Sequence, residues 1–468
     1  MTSHKPHKDG NTLTVDAHVT EQGIDILVND DCFPIHYPEA IWKQYPTDKR
    51  EILKDNIAYS STLFVPQMLG LREVHYKTAR PLSEPYLFKN GIYDMPTTAI
   101  SDDASSREYV RAFFNVHPIF ASNAVAYPET VTLTKASKSP RRAIVPFSFG
   151  KESLLSFALC RELGIDPIPV LFVEPTNMYE HMHKQPLLEA FEKEIGSPVH
   201  VVNYQPGMLR SGKYFNLQTE LGWGLQTTEY SLLCLPFAHA FDADMIVLGN
   251  EQSCNDTFFD REDMLVYKSA YDQHTDCTPQ QSVVSSLLLG RNISVTSFLE
   301  PLYEIAITHI LHHRYPEIGK FQMSCMADSE NARERRWCQH CTKCGYIFAL
   351  CAACGVNTAV IGFTENLFDQ EHTGVFENFF GYDPQNPVYG SQEELGLAFL
   401  LASRAGHTGA SIDRFNKEVR PKLEKDEERL RRTYLGINPD RNLSEEIRAP
   451  LLRIFTEELR DYMPYENA

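Results

Sequence analysis

One stretch near the middle of the chain limits its fold more than any other. Residues 141–175 read RRAIVPFSFGKESLLSFALCRELGIDPIPVLFVEP. The apolar run 143–147 predicts a buried strand, apolar residues at helical spacing predict a helix over 154–163, and the run 167–173 predicts a second strand. Strand, helix and strand within about 30 residues form a βαβ unit, whose two strands lie parallel in one sheet. Ligands of such sheets bind beyond the carboxyl ends of the strands.

The pattern continues on the C-terminal side of this unit. Helices are predicted over 184–195 and 225–241, and strands over 199–203 and 243–248. We therefore predict an α/β fold, with a Rossmann-like parallel sheet covered by helices on both faces. The predicted regions are a disordered lead (1–13), an N-terminal α+β region (14–135), the ligand-binding α/β domain (136–320) and a helical C-terminal region with a cysteine cluster (321–468).

Charge and hydropathy exclude several classes of protein. The formal net charge is −18, which opposes broad binding to nucleic acid. No apolar run approaches the ~20 residues that span a bilayer, and the polar N-terminus lacks the apolar core of a signal peptide. These features predict a cytoplasmic protein whose partner is a small molecule.

The turn after the first core strand has the chemistry of an anion cradle. Gly150 allows close approach of the backbone, and the first turn of the helix offers free N–H groups. The hydroxyls of Ser148 and Ser153 and the ammonium of Lys151 can converge on phosphate oxygens. The common nucleotide P-loop is excluded, because Val145 stands where that motif has glycine. A strand-to-helix turn with a serine cap is the alternative.

A second polar turn follows the fourth predicted strand. It begins Gly249-Asn250-Glu251 and lies where a parallel sheet contacts ligands. A solvated turn is the alternative interpretation. Three side chains farther along the chain have the chemistry of a proton-transfer base, and no pattern chooses between them: Cys254, Asp272 and His274.

Six of the eleven cysteines lie between positions 325 and 354. Four of them follow the spacing C-x12-C-x2-C-x2-C: Cys325, Cys338, Cys341 and Cys344. Four thiolates so arranged can complete the closed tetrahedron of a structural zinc site, and an iron–sulfur cluster is the alternative. Cys351 and Cys354 lie in an apolar run and are interpreted as packing residues.

The turn Ser148-Phe149-Gly150-Lys151-Glu152-Ser153 resembles the SGGxDS loop of the PP-loop ATP pyrophosphatases. Phe149 stands in place of a glycine, and Glu152 in place of an aspartate. The resemblance implies ATP and Mg²⁺, adenylation of a substrate carboxylate, release of pyrophosphate, and catalytic roles for Lys151 and Ser153. Nucleotide binding would then involve both turns: Ser148, Gly150, Lys151, Glu152, Ser153, Gly249, Asn250 and Glu251.

Within that superfamily, scattered motifs between about 140 and 405 resemble the UDP-N-acetylmuramoyl-L-alanyl-L-glutamate epimerases of cell-wall synthesis. They are the segments 336–344 (RWCQHCTKC), 366–369 (NLFD), 390–395 (GSQEEL) and 397–402 (LAFLLA), together with SFGKES and GNEQS. This resemblance implies conversion of the terminal L-glutamate of a UDP-linked muramyl dipeptide to D-glutamate.

Three alternatives stay open at the level of sequence. The cysteine spacing also resembles the 7-cyano-7-deazaguanine synthases, which implies an amide-forming or nitrile-forming ligase. The cysteine cluster could serve an RNA-modifying protein. The departures at Phe149 and Glu152 would suit a nucleotide sensor without catalysis.

Overall fold

The computed structural model describes residues 12–129, 141–176, 179–324, 332–381 and 390–462. Its strands are β1 Thr12–Val19, β2 Gly23–Val28, β3 Asp31–His36, β4 Glu73–Ala79, β5 His117–Ser122, β6 Arg142–Pro146, β7 Asp166–Val173, β8 His200–Tyr204, β9 Met245–Leu248, β10 Thr257–Phe259, β11 Leu265–Tyr267 and β12 Ser294–Ser297.

The α-helices of the first half of the chain are α1 Glu39–Gln44, α2 Thr47–Thr62, α3 Val65–Met68, α4 Glu84–Ser101, α5 Ser106–Phe114, α6 Lys151–Glu162, α7 Glu180–Ile195, α8 Gln226–Leu233 and α9 Leu235–Ala240. Those of the second half are α10 Thr278–Leu289, α11 Glu304–Arg314, α12 Pro316–Gly319, α13 Thr342–Ala353, α14 Glu377–Phe380, α15 Gln392–Arg404, α16 Ala410–Glu418, α17 Arg420–Leu423, α18 Glu427–Tyr434 and α19 Glu445–Leu459.

The central sheet has ten strands in the order β12-β9-β6-β7-β8-β3-β2-β1-β4-β5. The five strands from β12 to β8 are parallel to one another. Counted along the chain from β6, they follow the order 5-4-1-2-3, which is that of a doubly wound sheet. The order of the strands reverses between β6 and β9: β7 and β8 lie on one side of β6, and β9 and β12 lie on the other. That point is where ligands bind in such sheets.

Helices cover both faces of the parallel strands, as the sequence predicts. Alternate residues of β6 face opposite ways, so that Ala143 and Val145 enter one hydrophobic core and Ile144 enters the other. The first core lies under α6, α7 and α11 and continues into the C-terminal helices. The second lies under α2, α8, α9 and α10. The near-continuous apolar character of β6 follows from burial on both sides.

Several elements differ from the sequence-based expectations. The predicted helix 225–241 is two helices, α8 and α9, and Pro236 near the start of α9 lacks the N–H that a continuous helix would use. The segment 415–434, whose opposite charges at i, i+4 spacing predict one exposed helix, is likewise divided, with Pro421 in α17. Strand β12 is not predicted from the sequence, because its four residues, SVTS, form no apolar run. The N-terminal strands join the same sheet, because β3 pairs antiparallel with β8.

Candidate active site at the reversal point of the sheet

The turn between β6 and α6 is closed by its own serines. Ser153 Oγ accepts the backbone N–H of Ser148 at 3.2 Å, and Ser148 Oγ accepts the N–H of Gly150 at 3.2 Å. A β-carbon on Gly150 would lie 3.1 Å from Ser148 Oγ and 3.2 Å from a Glu152 carboxylate oxygen. Ser148 is exposed. The turn therefore has a crowded interior that suits glycine, and it leads into the N-terminus of a twelve-residue helix.

Phe149 adopts a backbone conformation that normally favours glycine. Its φ is +61°, in the left-handed region. Its side chain is fully buried, and its ring centroid lies 4.9 Å from that of Phe147 and 5.9 Å from that of Phe191. The backbone carbonyl of Phe149 accepts the N–H of Met323 at 2.8 Å. Aromatic packing thus holds a phenylalanine at the position where the similar loops carry glycine.

Lys151 lies inside a group of carboxylates. It is 3% exposed, and its ammonium forms ion pairs with Glu152 and Glu304. Burial opposes its charge, but the two carboxylates more than offset burial and raise the pKa of Lys151. Its positive charge is therefore permanent at this site. The pKa of Glu152 is lowered, because Lys151 outweighs the effect of burial.

The turn after β9 meets the turn after β6. A β-carbon on Gly249 would lie 2.7 Å from Glu152 Cβ, so the two turns touch at this glycine. Asn250 is anchored by its carbonyl, which accepts the hydroxyl of Ser297 at 2.5 Å. Glu251 is buried and accepts the N–H of Ser253 at 2.7 Å. Burial, and then the charge of Glu304, raises the pKa of Glu251.

Three further side chains join this group, and sequence reasoning missed them. Glu304 is the first residue of α11, Tyr346 lies in α13 and Glu394 lies in α15. The phenol oxygen of Tyr346 is 3.2 Å from Glu304 Oε1 and 3.1 Å from Glu394 Oε2. Glu394 is fully buried and accepts the N–H of Ile305 at 2.8 Å. The one available signal in the sequence was Glu394, which lies within the apolar helical pattern of α15.

The three candidate bases fall in different places. Cys254 is buried beside the second turn, with Sγ 3.6 Å from Glu251 Oε1. Asp272 accepts the N–H of Thr227 at 2.7 Å, and burial raises its pKa to about 7. His274 packs edge-on against Tyr267, and burial lowers its pKa. Within the described residues, Cys254 is the only one of the three candidate bases that contacts a residue of the two turns.

Three of the four predicted metal ligands come together. The Sγ atoms of Cys338, Cys341 and Cys344 all lie within 4.8 Å of one another. Cys341 precedes α13, and its sulfur accepts the N–H of Cys344 at 3.4 Å. Such a set of thiols suits zinc or an iron–sulfur cluster. Cys325, the fourth predicted ligand, lies outside the described residues.

The remaining pair in the cluster behaves as packing residues, as the sequence indicates. Cys351 and Cys354 are both buried in the first hydrophobic core. Burial raises the pKa of each thiol. They contribute apolar volume to α13 and its surroundings.

A cavity of about 640 Å³ includes His372 in its lining, and the ring of His372 lies 5.5 Å from that of His340, which precedes Cys341. It is lined by Glu365, Asn366, Asp369, Gln370, Glu371, His372, Gly409, Ala410 and Asp413. Two of these residues belong to the segment 366–369 that carries the epimerase resemblance. The residues of the two turns do not line this cavity.

Fold and site together define a doubly wound α/β protein with two loops meeting at the reversal point of its sheet. Residues 322–429 match the family model of the MurL C-terminal domain. The match covers less than a quarter of the chain and includes the three clustered thiols, Tyr346 and Glu394. It supports similarity to the MurL type of epimerase. No curated protein matches the chain. Within the described residues, no helix has the length and apolarity required to cross a membrane.

Proposed function

We propose that the protein epimerises the terminal L-glutamate of UDP-N-acetylmuramoyl-L-alanyl-L-glutamate, after activating its carboxylate with ATP. One observation carries the proposal. The part of the chain that matches the MurL C-terminal domain brings Tyr346 and Glu394 to Glu304, which pairs with Lys151 of the predicted phosphate loop. The family-matched part and the loop thus contribute to one group of side chains.

The chemistry explains why such a site needs ATP. The α-proton of a free glutamate is hard to remove, because the carbanion would lie beside an ionised carboxylate. Transfer of the adenylyl group from ATP to that carboxylate removes its charge and makes the carbonyl an electron acceptor. A side-chain base can then take the proton, and a proton returns to the opposite face. Hydrolysis of the adenylate gives the D-glutamyl product and AMP.

The residues of the two turns have assigned roles in this proposal. Ser148, Gly150, Lys151 and Ser153 would contact the phosphates, and an incoming triphosphate would compete with carboxylates for the Lys151 ammonium. Mg²⁺ favours carboxylate and phosphate oxygens, and Glu152, which is partly exposed, would help to hold it there.

The second turn and the cysteines have supporting roles. Gly249, Asn250 and Glu251 would contact the nucleotide or the substrate from the neighbouring strand. Zinc at the thiol cluster would stabilise the fold, because a set of four cysteine ligands leaves no open position for substrate.

The test is an assay with ATP, Mg²⁺ and the UDP-linked muramyl dipeptide. We expect AMP and pyrophosphate, unchanged product mass in H₂O, and D-glutamate by chiral analysis. The same assay with added ammonia tests the ligase alternative, for which the product mass would change. Absence of AMP with every carboxylate offered would refute adenylation.

A matched pair of variants tests the phosphate loop. Ser153→Ala removes the hydroxyl that accepts the Ser148 N–H, and we expect AMP formation to fall about 10-fold to 100-fold, the effect of losing one or two hydrogen bonds to a charged group. Ser156→Ala, one turn farther along α6, is the control. Equal activity of the two variants would remove Ser153 from the site.

A further inference from the structure

The contacts of Tyr346 require one more proton than its phenol supplies. Its oxygen lies at hydrogen-bond distance from a carboxylate oxygen on each side, Glu304 Oε1 at 3.2 Å and Glu394 Oε2 at 3.1 Å. A phenol has a single hydrogen and can donate to only one of them. Two ionised carboxylates would leave one oxygen facing another with no proton between them. A proton on one of the two glutamates would give each of the two contacts its own hydrogen.

The surroundings decide which glutamate holds the proton. Glu304 forms an ion pair with the Lys151 ammonium. Among the described residues, no lysine or arginine lies within ion-pair distance of Glu394, which is 0% exposed. With a proton on Glu394, Glu394 donates to Tyr346, and Tyr346 donates to Glu304.

The charged and titratable groups around Glu394 act on it in opposite directions, and those that favour its protonated form prevail. Burial, and then the charge of Glu304, raise the pKa of Glu394. They outweigh the N–H of Ile305, the charge of Lys151 and the hydroxyl of Tyr346, which favour its anion. Glu394 also interacts electrostatically with Glu251, Tyr303, Cys354 and Tyr434. None of these four carries a positive charge.

We propose that Glu394, Tyr346 and Glu304 form a proton relay, whose Glu304 end exchanges the α-proton of the substrate. This inference rests on the proposed function. The Glu304 side chain is 13% exposed and reaches Lys151, whereas Glu394 is enclosed. Glu304 is thus the end that can contact substrate, and Tyr346 and Glu394 are positioning residues behind it.

The relay has two arrangements of equal total charge. In the first, Glu304 is ionised and acts as a base: the Cα–H bond breaks, the proton bonds to a Glu304 oxygen, and the electron pair moves onto the acyl oxygen. In the second, the proton of Glu394 has passed to Tyr346 and the phenol proton to Glu304, which then acts as an acid. The same trio can therefore take a proton and supply one on its own face of the carbon. At the opposite face a water O–H bond breaks, its proton bonds to Cα with the electron pair that returns from the acyl oxygen, and the hydroxide is neutralised by the proton that Glu304 took.

The test compares two phenol-to-phenyl variants in D₂O. Tyr346→Phe breaks the relay and keeps the aromatic ring, and Tyr434→Phe, which also loses a hydroxyl hydrogen-bonded at 2.9 Å, is the control. For Tyr346→Phe we expect α-deuterium incorporation to fall about 100-fold, the scale of lost acid–base catalysis, and for Tyr434→Phe we expect it to stay within about twofold of the unaltered protein. Deuterium incorporation at the unaltered rate would overturn the relay.

A spectroscopic readout separates the relay from the proposed function. The infrared spectrum at neutral pH should contain a carboxylic-acid carbonyl band that is absent in Glu394→Gln, a variant that keeps the acceptor for the Ile305 N–H. An unchanged band would overturn the relay even if the enzyme epimerises. A lost band together with no AMP from the unaltered protein would refute the proposed function and leave the stored proton established.

Discussion

At the scale of single residues, Phe149 decides how the turn after β6 is built. Its φ of +61° costs of order 1 kcal/mol for a residue with a side chain, whereas glycine would adopt it freely. The buried ring offsets that cost through its contacts with Phe147 and Phe191. A departure from the glycine of similar loops therefore preserves the backbone shape, and it couples that shape to the core beneath.

The contact between the two turns gives the first prediction at this scale. Gly249→Ala would bring a β-carbon to 2.7 Å from Glu152 Cβ, so Glu152 and the end of β9 must move apart. We expect AMP formation to fall about tenfold and the free energy of unfolding to fall by about 1–3 kcal/mol. The control is Gly374→Ala, whose β-carbon meets nothing within 4 Å. Steady-state kinetics and chemical denaturation measure both effects, and equal behaviour of the two variants would contradict the contact.

At the scale of elements, the first βαβ unit was predictable because its pattern is local. The strand predicted at 143–147 is β6 at Arg142–Pro146, and the strand predicted at 167–173 is β7 at Asp166–Val173. The site beyond these strands was predictable only in part. Lys151, Glu304, Tyr346 and Glu394 meet through tertiary packing, and no periodicity within one segment indicates that meeting.

The start of α13 gives a prediction about the thiol cluster. Cys344→Ser replaces a buried thiol that lies within 4.8 Å of two others. We expect metal content and the thermal unfolding temperature to fall together, since the free energy of metal binding is free energy of folding. The control, Cys351→Ser on the same helix, should lose packing stability and keep its metal. Full metal content in Cys344→Ser, measured by elemental analysis, would remove it from the ligand set.

At the scale of the whole molecule, two buried carboxyl groups make stability depend on pH. Asp94 lies in α4 of the N-terminal region, and Asp272 lies in the turn that contacts α8. Burial raises the pKa of each to about 7, and the charge of Asp94 adds to the rise at Asp272. The backbone of Gly224, just before α8, hydrogen-bonds to Asp94, and Thr227 in α8 hydrogen-bonds to Asp272.

The sign of this dependence follows from proton binding. An unfolded aspartate has a pKa of about 3.9. Between about pH 4 and 7 the folded protein binds more protons than the unfolded chain, so stability falls as pH rises. This contribution is full below the unfolded pKa and is lost as pH rises through the folded pKa of about 7.

We therefore expect Asp94→Asn to raise the unfolding temperature at pH 8 and to change it little at pH 4, which flattens the profile. Asp103→Asn, at an exposed position after the same helix, should leave the profile unchanged. Thermal unfolding measured from pH 4 to pH 8 tests the pair. A parallel profile for Asp94→Asn and the unaltered protein would contradict the buried proton.

The junction of β3 with β8 has a practical consequence for dividing the chain. The register of this junction consists of two residue pairs, Ile35 with Tyr204 and His36 with Asn203. These pairs cover the β8 edge of the parallel strands. A fragment beginning at residue 141 would present the bare flank of β8, with amide and carbonyl groups ready to recruit another copy. We expect such a fragment to associate into multimers. A shortened recombinant protein that does not associate must therefore retain the strands from the first hundred residues.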